Sequence, residues 1–85
     1  IISAPGDDCD FVSRFFAPKF GILEDPVTGS AHCQLIPYWS EFLNKNNMIA
    51  KQISARGGRL YCENNKNRVI IGGNTITYMI GDLFL

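Results

Sequence analysis

Residues 29–44 predict a helix that is apolar around much of its circumference. At about 100° per residue, its large and apolar side chains fall within an arc of roughly 160°. These side chains are Ala31, Leu35, Ile36, Tyr38, Trp39, Phe42 and Leu43. A stripe this broad predicts a helix that other elements enclose on most sides, which restricts the possible folds more than any other feature of the chain.

Pro37 lies inside this predicted helix, where it removes a backbone donor and costs ~3 kcal/mol unless the helix bends. Either one helix bends near Cys33, or a first turn over residues 29–34 is followed by a fresh start. We favour the single bent helix. Asn44 opens a polar run and is predicted to end the helix as a left-handed cap.

Short β-favouring runs flank the helix and are separated by Gly- and Asn-rich turns. Strands are predicted at the first three residues and at residues 10–17, 51–55, 59–63, 68–71 and 75–80, with a loop at 22–30. Strand, helix and then an antiparallel meander of four or five strands is an α+β arrangement. Such a meander covers only part of the helix and leaves strand edges unpaired. The remaining cover is expected from sequence beyond these residues or from a second copy of the chain.

The chain has 85 residues and no net charge, with acids and bases interspersed. One domain at most fits this length. The charge balance argues against a nucleic-acid partner or an anionic membrane surface, and no apolar stretch approaches the roughly 20 residues that span a bilayer. The start lacks the basic and apolar regions of a signal peptide. Because the first residue is not Met, we expect a piece of a longer chain.

The three cysteines are Cys9, Cys33 and Cys62, an odd number with no CxxC spacing. We expect buried thiols in a reducing compartment, and hence a cytoplasmic protein. His32 is the only histidine and has no acidic residue at metal-ligand spacing, so it is predicted to be a core or cleft-rim residue and not a metal ligand. The RGGR sequence at residues 56–59 predicts a hairpin turn more simply than an anion-binding nest.

The stretch EDPVTGS, which leads into the helix, has more polar and turn-forming residues than a plain connection needs. The first N–H groups of a helix have no internal partner and bind carboxylates or phosphates readily. Gly29 would expose such an amide, Thr28 and Ser30 would add hydroxyl donors, and Asp25 could face a pocket as a proton acceptor or donor. An Asx-type turn followed by an N-cap explains the same spacing, and the spacing alone favours it.

A longer set of motifs resembles the phenazine-biosynthesis PhzF-like family of isomerases. The matching residues are SRFFAP at 13–18, Gly21, Ile22, EDPVTGSAH at 24–32, PYW at 37–39, Gln52, Ser54, RGG at 56–58, Arg68, Val69, Gly72 and Gly73. The resemblance covers almost the whole chain. It implies a diaminopimelate epimerase-like fold, in which two similar domains each wrap a β-barrel around a central helix and share a cleft. Residues 1–85 would then be the C-terminal part of the second domain, with the first domain absent.

The resemblance also implies roles for individual residues. Asp25 corresponds to a cleft aspartate that contacts substrate and assists proton transfer, and Thr28, Gly29 and Ser30 correspond to a cradle for a substrate carboxylate. The related epimerases carry a cysteine where Asp25 stands, so this chain resembles the isomerase branch. The principal acid/base of that branch is a glutamate in the first domain, and Glu24 does not replace it. No cofactor or metal is implied.

Three functions follow from these observations. The first is isomerisation of a small carboxylate-bearing metabolite by proton transfer in the intact two-domain protein, which we expect to be a homodimer; this segment alone would be inactive. The second is a truncated, non-catalytic module that self-associates through open strand edges. The third, a diaminopimelate-type epimerase, is opposed by the absence of a cysteine from the motif at residues 25–30.

Overall fold

The computed structural model describes residues 1–85, and its single α-helix packs against one sheet. The elements in chain order are β1 (Ile2–Pro5), β2 (Phe11–Ala17), a 3-10 turn (Pro18–Phe20), β3 (Ile22–Asp25), α1 (Gly29–Leu43), β4 (Asn47–Gln52), β5 (Gly58–Asn65) and β6 (Arg68–Gly72). The class is α+β, as predicted.

Helix α1 is continuous from Gly29 to Leu43, with Pro37 inside it and exposed. The prediction of one helix is therefore confirmed, and the alternative of two separate turns is wrong. The helix ends at Asn44, whose φ of 54° and ψ of 47° are left-handed. The amide of Asn44 donates to the Glu41 carbonyl, which is how such a cap satisfies the last turn.

The sheet has the order β1-β2-β4-β5-β6, and β3 pairs with the C-terminal end of β2. β2 and β4 are parallel, with Phe11 opposite Ala50 and Ser13 opposite Gln52, a pairing that the predicted order of elements does not specify. Helix α1 returns the chain to the end of the sheet at which β2 begins, so β4 runs in the same direction as β2. The meander after the helix is antiparallel, as predicted, but it comprises three strands, β4, β5 and β6, so the predicted four or five strands are wrong.

Two boundaries differ from the sequence prediction. The loop predicted at residues 22–30 contains β3 and the start of α1, because the 3-10 turn and the left-handed Gly21 fold the chain back onto β2. Strand β4 begins and ends upstream of the strand predicted at residues 51–55. Every second side chain, at Met48, Ala50 and Gln52, is buried on the helix side, and the ladder ends at Gln52. The strands predicted at 10–17, 59–63 and 68–71 are confirmed within a few residues.

The strand predicted at residues 75–80 is wrong, since no strand follows β6. Its apolar side chains are exposed; Ile76 keeps 91% and Tyr78 keeps 98% of its surface in solvent. High β-propensity does not by itself form a ladder, and no strand of these 85 residues pairs with this segment.

The core lies between α1 and the inner face of the sheet. Phe11 stacks on Trp39 at a ring-centroid distance of 5.5 Å, and Ile36 and Phe11 are completely buried. On the outer side of α1, Tyr38 and Phe42 remain exposed. The expectation that these strands cover the helix only in part is confirmed. The sheet is open, so the barrel implied by the family resemblance stays a prediction.

No helix of the structure has both the length and the apolar character needed to cross a bilayer.

Candidate active site

Asp25 lies close to the start of helix α1 because only residues 26–28 separate the two. Asp25 ends β3, where its backbone is opposite Phe15 of β2. Thr28 is the N-cap residue, with φ −120° and ψ 98°, and Gly29 is the first helical residue. The sequence-predicted Asp25, Thr28, Gly29 and Ser30 are thus brought together at one end of the helix.

The Thr28 hydroxyl is directed to Asp25 and not to the helix. Its Oγ1 donates to Asp25 Oδ2, and no side chain caps the first turn of α1. An N-cap threonine more commonly accepts a hydrogen bond from an amide of that turn. The amides at the start of α1 therefore have neither an intrahelical partner nor a side-chain cap, which leaves them able to bind an anion.

Gly29 and Ser30 are exposed at this helix start, whereas Thr28 is buried. A Cβ added to Gly29 would have no neighbouring atom within 4 Å outside the helix backbone, so the space in front of the helix is open. Thr28 differs from the predicted cradle role in that its N–H already donates to Gln52 Oε1 at 2.7 Å. The groups that a ligand can reach are those of Gly29 and Ser30.

Gln52, at the end of the interior strand β4, holds the segment from Asp25 to Thr28 in place. Its Oε1 accepts from the Thr28 amide, and its Nε2 donates to the Asp25 carbonyl at 2.8 Å and to Thr28 Oγ1 at 3.0 Å. The side chain is 1% exposed, and its hydrogen bonds offset the cost of burying an amide. Gln52 belongs to the motif that resembles the family, and the sequence predicts no role for it.

Ser54 and Gly58 give the same segment a second support. The Ser54 hydroxyl donates to the Pro26 carbonyl at 2.8 Å and accepts from the Gly57 amide at 3.0 Å. Val27 packs directly on Gly58, where an added Cβ would lie 2.2 Å from Val27 Cγ2. The turn between β4 and β5 is therefore joined to the turn before α1, a contact that no local sequence pattern indicates.

A cavity of about 500 Å³ adjoins this region and extends from Gly29 to the β4–β5 turn. Its lining includes Arg56, Gly57 and Arg59, and neither arginine belongs to one of the three ion pairs of the chain. The predicted hairpin turn exists and contains the left-handed Gly57, with φ 73°, but it covers residues 53–57, because Gly58 and Arg59 already belong to β5. The same turn also adds positive charge near the open helix start.

Glu24 is engaged away from the candidate site. Arg14 donates to it twice, from Nε at 2.7 Å and from an Nη at 3.0 Å. The hydrogen bond from Arg14 holds the pKa of the Glu24 carboxyl below its usual range. That Glu24 does not take the part of the missing acid/base stays a prediction.

His32 lies beneath the site as a core residue, as predicted. Its side chain is completely buried, and Nδ1 lies 2.7 Å from the Thr28 carbonyl. Burial lowers the pKa of His32, and the hydrogen bond to Thr28 offsets this only in part. A neutral imidazole that supports the helix start is the result.

The cysteines follow the expectation of free thiols, but not of uniform burial. Cys62 is buried and Cys9 half-buried, whereas Cys33 is exposed on the outer face of α1, so its predicted burial is wrong. No three His, Cys, Asp or Glu side chains of the chain are grouped as metal ligands.

Comparison with known proteins identifies the family. The family model for phenazine biosynthesis-like proteins (PhzC-PhzF) matches residues 2–81. The chain belongs to this family.

Among curated proteins, an uncharacterized isomerase of Pseudomonas aeruginosa is 54% identical over 85 residues, which are 100% of this chain and 33% of that protein. The phenazine biosynthesis-like domain-containing protein of Homo sapiens is 61% identical over 51 residues, covering 60% of this chain and 18% of that protein. The chain spans about one third of the length of the first curated relatives it matches.

Two crystal structures share the fold. The PhzF family phenazine biosynthesis protein of Enterococcus faecalis has a TM-score of 0.82 and 60% identity, covering 84% of this chain and 27% of that one. A putative phenazine biosynthesis PhzC/PhzF protein of Clostridium difficile has a TM-score of 0.82 and 50% identity, covering 98% of this chain and 32% of that one. Together with relatives named as isomerases, they support an isomerase family.

Proposed function

We propose that residues 1–85 form one wall of the active site of a cofactor-independent isomerase. The remaining wall, with the principal acid/base, belongs to a first domain outside this segment. The substrate is a small carboxylate-bearing metabolite, and the reaction moves a proton from a carbon beside an unsaturated system to another carbon. The single observation that carries the proposal is the Thr28–Asp25 hydrogen bond beside an uncapped, exposed helix start.

The two parts of this arrangement have different tasks. The amides of Gly29 and Ser30 and the Ser30 hydroxyl bind the substrate carboxylate, helped by the positive end of the helix dipole. Asp25 contacts the substrate beside them and assists the proton transfer. Its Oδ2 is held by Thr28, and its Oδ1 makes no hydrogen bond within the chain, so one oxygen is fixed and the other is free to act. Closing a second domain over the site would exclude water and strengthen these interactions.

The exposed apolar surfaces fit the same proposal. Tyr38 and Phe42 on α1 and the apolar side chains at 76–85 need cover that the 85 residues do not provide. We propose that the rest of the longer protein packs on them and that the whole protein is a cytoplasmic homodimer. A self-associating, non-catalytic module is the alternative, favoured by the same exposed side chains and by the open edges of β1 and β6.

Deuterium exchange in the full-length protein tests the proposal. The assay follows uptake of deuterium from D₂O by a panel of small β,γ-unsaturated carboxylates that begins with but-3-enoate. In that compound a C2–H bond breaks, a C4–H bond forms, and the double bond moves to C2–C3. The intact protein is expected to catalyse exchange in at least one member of the panel, and the isolated 85-residue segment in none.

Asp25→Asn is the matching variant, because an asparagine oxygen still accepts from Thr28 and keeps the turn. It should lower the exchange rate about a hundredfold, the scale of one acid/base group, with an unchanged melting temperature. Asp7→Asn, at an exposed aspartate outside the site, is the control. No exchange by the intact protein, or full activity of Asp25→Asn, would contradict the proposed function. A segment that is itself stable as a dimer would favour the interaction module.

A further inference from the structure

We propose that Gln52 is a positioning residue that aims the Thr28 hydroxyl proton at Asp25. This inference rests on the proposed function, because it assigns a part in that reaction to a residue that does not touch the substrate. It adds to the Asp25–Ser30 site an element that lies far away in the sequence, at the end of β4.

The orientation of the Gln52 carboxamide is determined by its partners. The Thr28 N–H can only donate, so the side-chain atom 2.7 Å away must be the oxygen. The Asp25 carbonyl can only accept, so the atom 2.8 Å away must be the nitrogen. The two requirements agree, and a flipped carboxamide would lose both hydrogen bonds.

This orientation decides where the Thr28 hydroxyl proton points. The second hydrogen of Gln52 Nε2 is donated to Thr28 Oγ1 at 3.0 Å, so the hydroxyl acts as acceptor on that side. A hydroxyl has one proton, and the remaining partner of Oγ1 is Asp25 Oδ2. The proton is therefore donated to Asp25, and this hydrogen bond fixes the carboxylate with its Oδ1 available.

The position of Gln52 suits this part because it cannot easily move. β4 is an interior strand, with Ser13 of β2 on one side of Gln52 and Gly58 of β5 on the other. Gln52 is buried, and all three hydrogen bonds of its side chain go to Asp25 and Thr28. A residue whose role was limited to stabilising β4 would have no reason to direct both polar atoms of its side chain to the segment from Asp25 to Thr28.

Two substitutions test the inference in the full-length protein, with the panel carboxylate that the wild type exchanges fastest. Gln52→Met keeps the length of the side chain and removes its hydrogen bonds. Gln52→Glu keeps the shape but presents only acceptors, which draws the Thr28 hydroxyl away from Asp25. Both should lower kcat about tenfold or more while KM changes less than about threefold, because the carboxylate is bound by Gly29 and Ser30. Gln34→Met, at an exposed glutamine of α1, is the control.

A double variant separates positioning from general destabilisation. If Gln52 acts through the Thr28 hydroxyl, Thr28→Val and Gln52→Met together should reduce kcat no more than the stronger single variant. Multiplying effects would overturn the inference, as would a wild-type kcat in both Gln52 variants. Asp25→Asn distinguishes the two proposals: if it is inactive while the Gln52 variants are fully active, the proposed function stands and only this inference fails.

A measurement on the unmodified protein covers the case in which the Gln52 variants do not fold. Neutron diffraction from a crystal exchanged into D₂O locates the deuteron on Thr28 Oγ1. The inference requires it to lie on the line toward Asp25 Oδ2, with the two deuterons of Gln52 Nε2 directed to Asp25 O and Thr28 Oγ1. A hydroxyl deuteron that points toward Gln52 would overturn it.

Discussion

His32 donates the proton on its Nδ1 to the carbonyl of Thr28, 2.7 Å away and one helical turn earlier. The carbonyl can only accept, so the neutral ring must carry its proton on Nδ1. Nε2 is then an acceptor, and it is buried without a partner. The only histidine of the chain thus supports the residue that holds Asp25, and it does so in its uncharged form.

The first prediction concerns pH and stability. Because burial lowers the pKa of His32 in the folded chain, the unfolded chain binds a proton first as the pH falls. The contribution of His32 is therefore fully present above its unfolded pKa of about 6.5 and is lost as the pH drops toward the lower folded value. The free energy of unfolding should decrease below about pH 6.5, with a slope of at most about 1.4 kcal/mol per pH unit.

Urea unfolding between about pH 7.5 and about pH 5 measures this slope. In the 85-residue chain, His32→Gln removes the only histidine, so the stability curve of this variant should be flat over the part of the range above the titration of the carboxylates. A variant with the same slope as the wild type would show that another group titrates.

The second prediction concerns the contact between Val27 and Gly58. Gly58→Ala places a methyl group 2.2 Å from Val27 Cγ2, so Val27 must move and the turn before α1 must move with it. We expect a loss of about 1–3 kcal/mol in the free energy of unfolding, the usual cost of overpacking. Gly29→Ala is the matched control, since nothing lies within 4 Å of its Cβ, and its stability should be equal or slightly higher. Equal losses in the two variants would argue against the contact.

The third prediction concerns the Ser30 hydroxyl. Ser30→Ala in the full-length protein should weaken carboxylate binding by roughly 0.5–1.5 kcal/mol, the net contribution of one hydrogen bond. Titration calorimetry in the Asp25→Asn background, with the panel carboxylate that the wild type exchanges fastest, measures this difference. Gln34→Ala, on the exposed side of the same helix, controls for general effects on α1. Unchanged binding by Ser30→Ala would remove Ser30 from the cradle.

The fourth prediction concerns the cysteines. Burial, and secondarily the charge of Asp10, raises the pKa of Cys62 to about 11, so little thiolate forms at neutral pH. Cys33 is exposed on the helix surface. In the folded chain, iodoacetamide should modify Cys33 first and Cys62 only after unfolding, which peptide mass spectrometry can follow. Modification of both at one rate would show that the core around Cys62 opens easily.

The sequence was most informative where a structural signal is local. The apolar periodicity and the polar run at Asn44 predicted helix α1 and its cap correctly. The family motif correctly indicated that Asp25 and Ser30 lie at one helix start. The match of the chain to the family model confirms the resemblance. In each case the residues that determine the structure lie within a few positions of one another.

The sequence failed where partners are distant or missing. The parallel pairing of β2 with β4 depends on the path of the whole helix, and the segment at residues 75–80 has β-propensity but pairs with no strand of the chain. Gln52 contacts a segment 24 to 27 residues earlier in the chain, so no periodicity could link it to Asp25. The sheet partners and the support of the site are set by tertiary packing, not by local pattern.

A crystal structure of the full-length protein with a bound carboxylate from the exchange panel would show directly whether the start of α1 is the ligand site. We expect the carboxylate at the start of α1, within hydrogen-bond distance of the Gly29 and Ser30 amides, with a carbon that exchanges its hydrogen next to Asp25 Oδ1. A carboxylate bound elsewhere, or a first turn of α1 covered by the rest of the protein with no space for a ligand, would contradict it.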